Sequence, residues 1–346
     1  TAMVLASQFR GSVAVGPRFL DLAATSASLA LVVNYPHFMS SYAMAYRRGR
    51  PFILQYWWQL IVVPALLLAL LAAAYVFYDV PAAQLSIVQS AYDTIATWGV
   101  NAQVLSGPLV GDLLLTAAFN IMLLTIGWHY TKQVFGCMMV YARFDGYAMS
   151  AADRQLTRWT LLSVWAMSFV DANISGSFRT WGGFSYSTLD LPDVARPVAI
   201  GVVLLGFVLV AYRVFYANYR RTGRRPSLNM VVPFVALYVW WLPGTRQPEF
   251  YFLLVPFFHS LQYLAFVYKR EGTRITRRPH RELRAFLLMV AIVAAGWLAF
   301  EFLPGTLDRQ LKTFDTRGVF FFLTAAMLFI NIHHYFIDNV LWRFAD

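Results

Sequence analysis

Phe329 to Arg343 reads Phe-Ile-Asn-Ile-His-His-Tyr-Phe-Ile-Asp-Asn-Val-Leu-Trp-Arg, at the end of an apolar run that opens at Gly318. His333, His334 and Asp338 therefore fall inside a segment that should lie in lipid. Ionisable groups there are costly and persist where they do a job or meet a partner. His334 and Asp338 are four apart and share a helix face, with Asn331 three residues before His334. Three further histidines, His37, His129 and His259, also fall inside apolar stretches. His280 sits in a basic loop and reads as solvated or near lipid head groups. Neutral imidazole is a ligand for iron, copper or zinc. Imidazoles brought from separate helices into one bundle would make a metal site.

Depth supports convergence. His37 precedes Arg47 by ten positions, His259 precedes Lys269 by ten, and His333 precedes Arg343 by ten; His129 precedes Arg143 by fourteen. At 1.5 Å per residue these are depths of about 15 Å, or about 21 Å for His129. Adjacent histidines point about 100° apart, so His333 is a fifth or an alternative ligand beside His37, His129, His259 and His334. Polar neighbours share the histidines' faces: Gln133 follows His129 by four, Gln262 follows His259 by three, and Asp338 follows His334 by four. Metal-bound imidazoles usually give their second N–H to such groups. Asp338 is expected to orient a ligand or to complete the shell. Tyr130 offers a hydroxyl to bound oxygen, or is a packing aromatic. Lys132 offers charge to an anionic intermediate, or snorkels to the membrane face. Histidines with one carboxylate and open positions favour non-haem iron and oxygen chemistry, with copper, zinc or haem as alternatives. Pro36 and Pro256, beside two of the histidines, suggest kinks that widen a cavity.

The segments Asn34-Tyr35-Pro36-His37-Phe38, Trp128-His129-Tyr130-Thr131-Lys132-Gln133, Phe258-His259-Ser260-Leu261-Gln262-Tyr263 and His333-His334-Tyr335-Phe336-Ile337-Asp338 carry single histidines on separate helices. In that layout the chain resembles the bacterial Brp/Blh carotene-cleaving membrane oxygenases. The resemblance implies a polytopic protein with histidine-bound iron. It covers the layout and the helix histidines, not an aligned motif, so the carotene itself is not carried across. Missing motifs narrow the field. There is no Walker A loop, dinucleotide fingerprint or His-Glu-x-x-His. The paired Glu-x-x-His of di-iron bundles and the histidine boxes of membrane desaturases are absent too.

The elements that must position these residues are membrane spans. Of the 346 residues, 59% are hydrophobic and only 13% charged, with a mean hydropathy of +0.54; soluble domains carry about 25% charged residues. We read one all-α integral membrane domain over residues 1–346. It has eight or nine spans, near 19–46, 52–78, 108–142, 156–177, 197–217, 228–243, 248–268, 284–303 and 318–342. The sixth is short, and 84–104 reads as an interfacial helix. Eighteen of the 28 basic residues flank one side and eight the other, which predicts an outside N-terminus and a cytoplasmic C-terminus. The net charge of +11 is then topology and contact with anionic lipid rather than a nucleic-acid surface. The single cysteine, Cys137, excludes an intrachain disulfide and a Cys-rich metal site. The leading expectation is an iron-dependent oxygenase or oxidase of a hydrophobic, lipid-borne substrate in a bacterial inner membrane. A haem-binding electron-transfer subunit and a metal-free transporter or structural subunit are the alternatives.

Overall fold

The computed structural model describes residues 29–81, 109–174, 191–241, 255–275, 280–317 and 319–341, with 179–181, 184–186 and positions 84, 86, 90 and 189. Its elements are α1 (Asn34–Tyr46), α2 (Arg50–Gln55), α3 (Trp58–Val76), α4 (Val110–Phe144), α5 (Ala151–Ala172), α6 (Ala195–Thr222), α7 (Leu228–Trp241), α8 (Val255–Ile275), α9 (Glu282–Gln310), α10 (Thr313–Arg317) and α11 (Phe321–Leu341). One hairpin, β1 (Arg179–Trp181) with β2 (Phe184–Tyr186), interrupts this helical order, with Thr180 opposite Ser185. Each expected span meets a described helix. Five of them, α3, α4, α6, α9 and α11, are long and apolar enough to cross a membrane, and α7 is a shorter apolar helix. The expected interfacial helix at 84–104 lies almost wholly outside the described residues, as do 19–28 of the first expected span and 248–254 of the seventh.

Two apolar cores meet along α4. Its first half packs on α3 and α11 through Leu67, Leu71, Leu115, Phe119, Phe321 and Leu328. Its second half packs on α5 and α7, with α6 laid against α5, through Met138, Leu161, Val203, Val210 and Phe234. By contrast, α6 and α9 leave most of their apolar side chains exposed, as a lipid-facing helix does. α11 is the most buried of the five long helices. Turns of π-helix, Trp58–Val62 in α3 and Leu298–Phe302 in α9, both pack against it. Its N-terminus is capped from α9: the buried Asp308 carboxylate accepts from the backbone N–H groups of Phe322 and Leu323, each at 2.9 Å. A carboxylate at that end satisfies two orphan donors and complements the helix dipole.

α1, which carries His37, lies between α8, α9 and α11. The approach of α9 depends on Gly296, where an added Cβ would fall 2.6 Å from Tyr35 Cβ. At the start of α4, a Cβ on Gly111 would fall 2.6 Å from Tyr78 Cα. Pro36 does not kink a helix as expected: it falls in the first turn of α1, where a missing N–H leaves no internal hydrogen bond unmade. The residues just before Val255 lie outside the described ones, and the outcome for Pro256 lies with them.

Candidate metal centre

α1, α4, α8 and α11 run in the same sense. On α1 and α8, His37 meets His259, and a turn or more further along Arg47 meets Glu271 at 3.3 Å. On α4 and α8, His129 meets His259 and Gln133 meets Gln262. On α4 and α11, His129 meets Tyr335 and Lys132 meets Asn339. Helices that run together bring residues of matched depth to one level, and four imidazoles converge there. His259 Nε2 lies 3.1 Å from His37 Nε2 and 3.2 Å from His129 Nε2. The His334 ring lies 4.4 Å from that of His37 and 5.4 Å from that of His129. Asp338 Oδ2 completes the group, 3.5 Å from His334 Nε2 and 3.9 Å from His129 Nε2. His37, His259 and His334 form one potential metal-binding triad, and His129, His334 and Asp338 a second; within each, the ligand atoms lie within 4.8 Å of one another. All five side chains are buried.

The hydrogen bonds around these rings fix where their lone pairs point. Ser41 Oγ lies 2.7 Å from both the Phe38 carbonyl and His334 Nδ1. With its proton on the carbonyl it accepts from His334 Nδ1, which leaves a lone pair on Nε2. That Nε2 is buried without a hydrogen-bond partner. His259 Nδ1 bonds the Gln133 side-chain oxygen, so its Nε2 is bare as well. One in-plane lone pair on His259 Nε2 faces two ring nitrogens, and a single hydrogen bond satisfies only one of them. Buried polar atoms left this way are costly, and a cation removes the cost. With bonds of about 2.1 Å to one ion, nitrogens at these spacings subtend roughly 95–100°, between octahedral and tetrahedral angles. The residues present fit a metal ion.

No family model, curated protein or solved structure matches the chain. The centre is therefore read from its own geometry.

That geometry sorts the expected residues. His37, His129, His259, His334 and Asp338 come together. His333 does not: its Nδ1 lies 2.9 Å from the Tyr42 hydroxyl, on a different face of α11, and it belongs to neither ligand group. Adjacent helical residues cannot aim at one point. Tyr130 is buried, with its ring 5.0 Å from that of His259. Lys132 is exposed, donates to Asn339 Oδ1 and covers the Trp128 ring at 4.5 Å, in keeping with the snorkelling alternative. It stands outside the centre. Gln133 and Gln262 do not serve the histidines of their own helices. Gln133 on α4 holds His259 of α8, and Gln262 accepts from Gln133 at 3.0 Å and donates to Cys137 Sγ at 3.3 Å. Asp338 Oδ1 is held by the Tyr263 hydroxyl at 2.9 Å. Sequence reasoning missed Ser41, fully buried against His334, and Ser260, 3.1 Å from His37 Nδ1. A serine one helical turn after a histidine, or beside one, was the available signal.

Proposed function

We propose that this protein is a membrane metalloenzyme in which His37, His129, His259 and His334, with Asp338, hold one non-haem iron. The observation that carries the reading is the His259 Nε2 atom, within 3.2 Å of two other imidazole nitrogens while its own proton is spent on Gln133. A nitrogen-rich set with one carboxylate suits iron(II) oxygen chemistry better than the thiolate-rich sites that select copper(I). Bound iron would supply the redox chemistry by which dioxygen oxidises a substrate. Haem is the poorer fit at this centre, because two axial nitrogens sit about 4 Å apart across a porphyrin plane, whereas His259 Nε2 lies 3.1 Å from His37 Nε2 and 3.2 Å from His129 Nε2. In layout the proposal keeps the likeness to the carotene-cleaving oxygenases.

The chain's own residues supply the surroundings. Tyr263 orients the Asp338 carboxylate. Tyr130, Tyr335 and Phe38 pack around the imidazoles and exclude water. With lipid on the flanks of the bundle, such a pocket suits a hydrophobic, lipid-borne substrate. We place the protein in a bacterial inner membrane. Elemental analysis of protein purified without chelators tests the metal. About one equivalent of iron is expected, with no Soret band, and less than about half an equivalent of every transition metal overturns the reading.

A further inference from the structure

The hydrogen bonds behind the imidazoles are exchanged between helices. Ser41, on the helix of His37, holds His334 of α11 at 2.7 Å. Gln133, on the helix of His129, holds His259 of α8. Ser260, on the helix of His259, lies 3.1 Å from the Nδ1 of His37 on α1. On the helix of His334, Tyr335 stacks on His129 of α4 at 4.8 Å. Each of the four helices thus carries one imidazole of the centre and one group that fixes the imidazole of a neighbour. Ser41 and Ser260 are fully buried. With its proton on the Phe38 carbonyl, Ser41 meets His334 as an acceptor.

We propose that Ser41, Gln133 and Ser260 are positioning residues that set the ring orientation, and for His334 and His259 the tautomer, so that Nε2 atoms face one cation only when all four helices have docked. The proposal rests on the metal reading above. An imidazole without such a partner rotates and exchanges tautomers, and loss of an outer partner typically weakens metal binding 10–100-fold. Because the partners cross between helices, removing one should loosen a ligand on another helix while leaving its own helix intact.

Cobalt(II) titration of the purified full-length protein, read by its visible absorption, tests this. Ser41→Ala and Gln133→Leu should each raise the cobalt Kd about 10–100-fold, with the metal-free protein folded and its melting temperature lowered no more than by His333→Ala, which also removes a buried hydrogen bond. Gln133→Glu keeps an acceptor for His259 Nδ1 and should restore wild-type affinity. An unchanged Kd in both deletion variants overturns the positioning role. So does a weakened Kd that tracks an equal loss of metal-free stability in all three variants. If the wild-type protein itself binds neither cobalt nor iron, the metal reading falls, and this inference falls with it.

Discussion

Two adjacent histidines separate packing from ligation. His333 and His334 are both almost fully buried, yet one bonds Tyr42 and the other aims at the ligand group. His334→Ala removes a member of both triads and should abolish stoichiometric metal binding. His333→Ala should leave metal content unchanged and cost about 1–2 kcal/mol of stability through the lost Tyr42 hydrogen bond. Metal analysis and thermal melting of the two variants check the pair, and equal metal loss in both would contradict the assignment. Asp338→Asn keeps the volume and the Tyr263 contact but removes the charge. It should weaken metal binding without the full loss expected of His334→Ala, and the same titration reads it.

Among the elements, close helix crossings place the ligands. Gly296 lets α9 lie against Tyr35, two residues before His37. Gly296→Ala pushes a methyl into Tyr35 and should cost about 1–3 kcal/mol, as overpacking does. Gly201, on an exposed stretch of α6, has nothing within 4 Å of a built Cβ. Gly201→Ala should therefore be neutral or stabilising by up to about 1 kcal/mol, the ordinary helix preference for alanine. Thermal unfolding of the two variants in one detergent checks the contrast. The cap from Asp308 matters similarly for α11, whose first-turn N–H groups have this buried carboxylate as acceptor.

At the scale of the whole molecule, the parallel run of α1, α4, α8 and α11 gathers basic helix ends on one side. Arg47 pairs with Glu271 there, and Arg224 donates to the Gly146 carbonyl at 2.9 Å. A surplus of basic residues at one end of the bundle predicts that this end faces the cytoplasm. Single cysteines introduced by Arg224→Cys and Arg309→Cys test the orientation in intact cells. An impermeant thiol reagent should label the second and spare the first, and the reverse pattern would invert the assignment.

Much of this was legible in the chain itself. Apolar length and the scarcity of charge dictated a helical membrane bundle, because a backbone in lipid must satisfy its hydrogen bonds internally. The equal offset of His37 and His259 from the basic residues after them announced a shared depth, since helical rise is constant. What sequence could not supply was rotation about each helix axis and the identity of the neighbour. Gln133 shares the face of His129, yet it serves His259, because the partner of a side chain is set by the helix across the seam. Sequence left Lys132 between a charge at the centre and a snorkelling one, left His333 as a fifth or alternative ligand, and passed over Ser41; contact between helices decided all three. Periodicity fixes depth and face within one helix, whereas only packing decides which faces meet. The meeting of Ser41 with His334 and of Gln133 with His259 is what turns four imidazoles into a candidate metal centre.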